Sequence, residues 1–121
     1  MNNKPSNKIF DILIGQKLSS VTFVIDYLQI DFDGNKFTMN VWPIITIDDL
    51  QFKFGDDLYR DKLCSLITKI VVAVNYVDDK KIIIDFEDSN FIFLSLDSNN
   101  THIITPEVAS FENTNQERFA F

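Results

Sequence analysis

Cysteine occurs once, at Cys64, so no disulfide can close within the chain, and a disulfide-stapled secreted scaffold is excluded. Histidine also occurs once, at His102, in a polar stretch far along the chain from Cys64. A Cys and His pair for nucleophilic catalysis is therefore not expected, and Cys64 reads as a small core residue on the apolar face of a helix. With no pair of histidines or cysteines at metal-ligand spacing, no metal site is expected. Three glycines leave no phosphate-cradling loop. Glycine and proline are too scarce, and apolar residues too common, for a disordered chain. No apolar run approaches the roughly 20 residues needed to cross a bilayer, and the stretch from Lys8 to Gly15 is short and broken by Asp11. A reducing, cytoplasmic setting is the expectation, with no membrane partner.

Apolar residues make up 45% of the 121 positions and include twelve Phe and sixteen Ile, enough for one domain that folds without metal or disulfide staples. Eighteen acidic residues against eleven basic ones give a net charge of −7, which repels phosphate backbones and anionic membranes. Nucleic acid is not an expected ligand. The charge is uneven: residues 26–61 carry −5 and residues 78–112 carry −6, while 1–25 and 62–77 carry +2 each. Two acidic zones suit a basic protein partner, although the same charge also keeps a Phe-rich chain dispersed.

Period-two alternation predicts strands at Val21, Phe23 and Ile25, at Leu28, Ile30 and Phe32, and at Phe37, Met39 and Val41, with Asp33-Gly34-Asn35 as a hairpin turn. Trp42-Pro43 ends the third strand, since proline cannot donate to a ladder. Ile44 to Ile47 and Leu50 to Phe54 read as a hairpin about Asp48-Asp49. Ser6 is placed to cap a first helix through Ile9, Phe10 and Leu13, with Gly15 as its stop. A second helix is predicted from Asp56 or Asp57 to about Ile67, its apolar face formed by Tyr59, Leu63, Leu66 and Ile67, with Asp56 and Arg60 paired four apart. The runs 70–77, 81–86 and 91–96 form a meander. Residues 106–111 read as a turn and short strand, and Glu117 to Phe121 as an edge strand. The fold class is α+β: a single domain, mainly antiparallel sheet, with two helices.

A shift of about 53 residues lays Leu13 on Leu66, Leu18 on Val71, Val21 on Val74 and Phe23 on Tyr76, and then, after one inserted residue, Ile30 on Ile84 and Phe37 on Phe91. The pattern suggests duplication of a helix-plus-three-strand unit, with pseudo-repeats at about 6–54 and 56–97 and a C-terminal extension over 98–121. Under that alignment Ile92 and Leu94 fall where the first unit has outward Thr38 and Asn40. The strand 91–96 is then apolar on both faces, and is either central and covered or part of a contact surface.

Paired carboxylates such as Asp31 with Asp33, or Asp85 with Glu87, satisfy the spacing of a general acid and base on one strand face. They equally describe the solvent side of an amphipathic strand. Asp31 to Asn35 lacks the further ligands of a calcium loop. No catalytic residue and no cofactor is expected, and the chain is read as a binding protein, not an enzyme. The partner-binding surface is expected where acids and aromatics cluster, at Trp42, Asp48, Asp49, Asp56, Asp57 and Tyr59. The zone of Asp78, Asp79, Glu87 and Asp88 is its rival.

Ile14-Gly15-Gln16-Lys17-Leu18, the run Val21 to Leu28, Val41-Trp42-Pro43, Phe54-Gly55-Asp56, Pro106-Glu107 and above all Tyr59-Arg60-Asp61-Lys62-Leu63-Cys64-Ser65-Leu66-Ile67 carry a likeness over residues 12–112. The chain in these segments resembles a family of small bacterial proteins found in polymorphic toxin loci. The resemblance implies an immunity protein of the contact-dependent growth inhibition type, which binds and neutralises a cognate toxin domain. It supplies no catalytic residues. Two positions depart from it: Asp57-Leu58 stands in place of a small or proline-containing turn, and Thr68 in place of a glycine. From the residues themselves a second reading stands beside it, a small-ligand or regulatory domain with a cleft between the two repeats.

Overall fold

The alternation around Asp33-Gly34 is realised as a tight hairpin in which both turn residues take positive φ, at +56° and +101°. It joins two strands whose inward residues are wholly buried, Leu28, Ile30 and Phe32 on one and Phe37 and Met39 on the other. A computed structural model describes residues 7–97 and 108–121. Its elements are a 3-10 helix at Asn7–Leu13, β1 at Ser20–Phe23, β2 at Leu28–Phe32, β3 at Asn35–Met39, β4 at Ile44–Ile47, β5 at Leu50–Phe52 and α1 at Tyr59–Cys64. They continue with β6 at Val71–Val77, β7 at Lys81–Phe86, β8 at Phe91–Ser95, β9 at Ala109–Glu112 and β10 at Arg118–Ala120. The fold is α+β, with two five-stranded antiparallel sheets in the orders β1-β2-β3-β9-β10 and β6-β7-β8-β4-β5. Both contribute to one hydrophobic core. Among the described residues no helix is long and apolar enough to cross a membrane.

The two sheet orders are the same list read once for each half, with the hairpins exchanged. β4 and β5 leave the first half to pair on β8 of the second, and β9 and β10 return from the second half to pair on β3 of the first. The halves meet at a short bridge, Lys17 opposite Ile70, flanked by reciprocal hydrogen bonds. Gly15 N–H donates to the Val71 carbonyl at 2.8 Å and Thr68 N–H to the Leu18 carbonyl at 2.8 Å. Gly15 and Thr68, 53 positions apart, share the left-handed backbone, with φ of +88° and +83°. Phe32 and Phe86, equivalent in the two hairpins, stack across the seam with centroids 6.4 Å apart. Asn35 and Asn90, buried at the starts of the hairpins' second strands, each pin the turn of the exchanged hairpin. Asn35 Oδ1 accepts from Thr114 N–H and Asn90 Oδ1 from Asp48 N–H, both at 3.0 Å. The correspondence is one of geometry, and descent of the halves from one duplicated unit remains a proposal. Residues 98–121, set apart by the sequence as an extension, contain the hairpin that fills for the first sheet the place β4 and β5 fill for the second.

The registers correct the sequence alignment at one strand. Ile30 pairs with Phe37 and Ile84 with Ile92, so the structural equivalent of Phe37 is Ile92 and not Phe91, because the β7–β8 turn is one residue longer than the β2–β3 turn. Ile92 and Leu94 accordingly point into the core at 1% exposure each, and the outward apolar residues of β8 are Phe91 and Phe93. That strand is central, as its two apolar faces suggested.

Both helices are shorter or tighter than periodicity predicts. The first is 3-10 in form, and Ser6, its expected cap, lies outside the described residues, as do His102 and Pro106-Glu107. The second is α-helical only over Tyr59–Cys64. Asp56 does not cap it: its Oδ2 accepts from Lys53 N–H at 2.8 Å, closing a turn before the helix, and Leu58 occupies the cap position without a side-chain bond. Beyond Cys64 the chain tightens into short-range bonds, where Ser65 Oγ donates to the Lys62 carbonyl and competes with the helical ladder. Leu63 and Leu66 are fully buried, as expected of the inward face. Cys64 is exposed, contrary to its reading as a core residue, because it follows inward Leu63 by one position and so turns about 100° away from the buried stripe. Val41 falls in the bend after β3, and Ile25, expected to extend β1, sits in the β1–β2 turn at 93% exposure.

Candidate partner-binding face

The turn after β5 lifts Phe54 to the surface. Lys53 and Asp56 close it with two hydrogen bonds, of 2.8 and 3.0 Å, and Gly55 supplies the φ of +101° it requires. The Phe54 ring lies flat against Trp42, with centroids 4.3 Å apart and planes 13° from parallel, and Trp42 lies in turn against Phe23 at 6.3 Å and 17°. Three aromatic rings from the end of β1, the bend after β3 and the turn after β5 thus form a ladder. The Arg60 guanidinium caps it, 5.9 Å from the Phe23 centroid, in place of the expected ion pair with Asp56. Phe54 is 48% exposed, and exposed Ile25 lines the same depression as the three rings.

Tyr59 is the brace beneath this face and not part of its surface. It is 1% exposed, its hydroxyl donates to the Pro43 carbonyl at 2.6 Å, and its ring meets Phe54 edge-on at 6.0 Å. Burial disfavours the phenolate and pushes its pKa well above the ordinary phenol value. Its expected place among the contact residues is therefore corrected: the hydroxyl is committed to holding α1 against the Trp42-Pro43 bend.

Exposed Asp56 and Asp57 border the ladder, and Asp26 stands beside Ile25 in the β1–β2 turn. Two depressions of about 230 and 240 Å³ run along the ladder and share Phe54 and Arg60. Each falls below the roughly 300 to 1,000 Å³ of a small-molecule pocket, so the relief suits side chains projecting from a partner better than an enclosed ligand.

The remaining two expected contact residues lie elsewhere. Asp48 and Asp49 form the two-residue β4–β5 turn, with φ of +52° and +67°, at the far end of the hairpin from Asp56. Four residue steps of extended chain run from Asp49 to Lys53, roughly 13 Å. The β4–β5 turn is tied instead to the β7–β8 turn by the bond from Asp48 N–H to Asn90, so Asp48 and Asp49 join Glu87 and Asp88 from the rival acidic zone. Glu87 and Asp88 are occupied locally: Glu87 accepts from Ile70 N–H at 2.8 Å, and Asp88 lies 3.5 Å from the Lys69 ammonium. Among the described residues no three His, Cys, Asp or Glu side chains converge on a point a metal ion could occupy.

Pseudo-symmetry gives the ladder a counterpart. By register Phe54 corresponds to Phe121 and Phe23 to Tyr76. At that other end Phe10 of the 3-10 helix packs against Phe121 at 6.0 Å and Tyr76 at 5.9 Å, and Tyr76 is 8% exposed. Leu63, which takes the place of Phe10, is too small to do the same, and while Phe23 and Trp42 stay half-buried against the core, Phe54 is left exposed. Sequence reasoning found Trp42, Asp56 and Asp57, and missed Phe23, Phe54 and Arg60. The one available signal was Phe54-Gly55, an aromatic followed by a positive-φ residue just where the strand pattern stops. Comparisons of the chain with protein-family models, with curated proteins and with solved structures find no match in any of the three.

Proposed function

We propose that this protein is an immunity protein that binds a cognate bacterial toxin domain, basic in character and with nuclease activity, and neutralises it by covering its active surface. The observation that carries the reading is the aromatic ladder Phe23–Trp42–Phe54, its two inner rings half-buried against the core and Phe54 exposed at its end, with Asp56 and Asp57 at its border. Stacked, braced aromatics are the side chains that anchor protein interfaces, and they lose little conformational freedom on binding because neighbours already hold them. Carboxylates at the rim attract a basic partner and stand where substrate phosphates would otherwise sit. The net charge of −7 extends that attraction over the approach. The rival reading, a small-ligand cleft between the halves, gains no support from the seam, which is filled by reciprocal backbone bonds and the Phe32–Phe86 contact.

The test is co-expression with the variable C-terminal domain of a large secreted protein from a neighbouring gene, which this reading requires. The unaltered protein should relieve toxicity. Trp42→Ala and Phe54→Asp should abolish relief, and Asp56→Lys with Asp57→Lys should slow association and flatten its dependence on salt. Asp48→Lys with Asp49→Lys should leave both unchanged. Failure of the unaltered chain to relieve toxicity ends the proposal.

A further inference from the structure

The outer faces of the two sheets occupy equivalent positions and have opposite chemistry. On the first sheet the outward residues of the central strands are Gln29 and Asp31 on β2, and Lys36 and Thr38 on β3, polar throughout and joined at one point by a 3.2 Å bond from Gln29 to Thr38. The registers carry Gln29 onto Ile83, Lys36 onto Phe91 and Thr38 onto Phe93, and on the neighbouring strand Ser110 of β9 corresponds to Ile44 of β4. Asp31 keeps its character, as Asp85, and Glu112 of β9 falls on Thr46 of β4, which stays polar beside Phe91. Ile44, Phe93 and Ile83 lie side by side across three adjacent strands, with Phe91 above them. The 3-10 helix packs against β6 and α1 against β1 and β4, and among the described residues neither lies across β7 and β8. The same scaffold built twice shows that its outer face tolerates a polar surface, so the apolar one answers a different requirement.

We infer that the outer face of β4, β8 and β7 is a self-association surface, and that its occupant is a second copy of this chain related by a two-fold axis through Ile83. The charges of β7 carry the choice of occupant. Lys81 and Asp85 flank Ile83 at equal spacing on the same strand face, and neither makes an ion pair among the described residues. In a two-fold arrangement each contact occurs twice, and antiparallel apposition of β7 on its copy sets Lys81 of each chain opposite Asp85 of the other. Sheets packed face to face lie about 10 Å apart, within reach of a lysine and an aspartate extended toward each other. Burial already raises the Asp85 carboxyl above the usual carboxylate range, a cost that an opposing ammonium would offset. The face measures roughly 15 by 20 Å from strand spacing and length, which places the contact in the small, weak class of interfaces.

The experiment is sedimentation equilibrium of the full chain from about 5 to about 500 μM, since the dimer population of a weak interface depends on protomer concentration. A monomer–dimer equilibrium within that range is expected, and a monomer throughout overturns the inference. Phe93→Glu should abolish association with an unchanged circular dichroism spectrum. Lys81→Asp and Asp85→Lys should each weaken it by about tenfold or more, because each places like charges together twice, and the double exchange should restore it to within about threefold. Dissociation by both single variants without recovery in the exchanged pair also overturns it. Relief of toxicity depends on the ladder and should survive Phe93→Glu, so this inference and the proposed function fail separately.

Discussion

Thr68 holds a φ of +83°, where glycine stands at the equivalent Gly15, and a β-branched residue in the left-handed region costs roughly 1 to 2 kcal/mol. The position cannot relax, because Thr68 N–H donates across the seam to Leu18 and the turn that delivers it joins α1 to β6. Thr68→Gly should therefore stabilise the protein by about 1 kcal/mol after the entropic cost of glycine, raising the melting midpoint by about 4 °C. A midpoint that falls would show that the threonine side chain supplies more than its backbone strain removes. Tyr59 makes the opposite kind of statement, since its neutral hydroxyl is part of the fold. Its folded pKa lies above the unfolded phenol value of about 10, so its contribution is fully present below that pH and is lost as pH rises beyond it. Tyr59→Phe should lower stability at neutral pH by about 1 kcal/mol through the lost bond to Pro43, and should flatten the alkaline limb of the stability curve. Equal alkaline slopes for the two proteins would assign that limb to other groups.

Strands were legible in the sequence, and so was the presence of two helices but not their length or form, for a physical reason visible in α1. A strand's period of two is enforced over four to seven residues by a sheet buried on one face, so Leu28 to Met39 and Ile82 to Phe86 announce themselves. The apolar spacing from Tyr59 to Ile67 matches a three-turn helix, but only six residues are α-helical, and the rest of the spacing is met by tight turns that bury Leu66 as effectively. The same spacing thus fits two backbones, and it misplaced Cys64 while placing Leu63 and Leu66 correctly. Leu63 on α1 and Leu66 in the turns after it seat this segment on the core, and replacing either by alanine should cost about 2 to 5 kcal/mol, read from the denaturation midpoint. Unchanged midpoints in both would remove α1 from the core. For the candidate site, acids and Trp42 could be found by clustering along the chain, but the ladder takes one ring from each of three separated segments. No local pattern links Phe23 to Phe54, and the contact exists only because β5 turns back toward the end of β1.

At the scale of the whole molecule the exchanged hairpins decide how the halves depend on each other. Neither half owns a complete sheet: residues before Gly55 hold β1 to β3 of one sheet and β4 and β5 of the other, and the second half is its mirror in this respect. A cut at Gly55, exposed and in a turn, separates the halves without breaking any strand. Each fragment then exposes two unpaired sheet edges together with the core faces behind them, and a three-stranded sheet beside a detached hairpin buries too little apolar surface to offset its conformational entropy. Fragments 1–55 and 56–121 should each lack a cooperative thermal transition when alone. Mixed in equal amounts they should recover one, because every bond across the seam and every β3–β9 and β4–β8 pairing forms between different fragments. The recovered midpoint should rise with concentration, as it must when folding and association are one step. Cooperative unfolding of the isolated first fragment as a monomer, followed by circular dichroism, would show that three strands and a returning hairpin close their own core and that the exchange is not what holds the fold together.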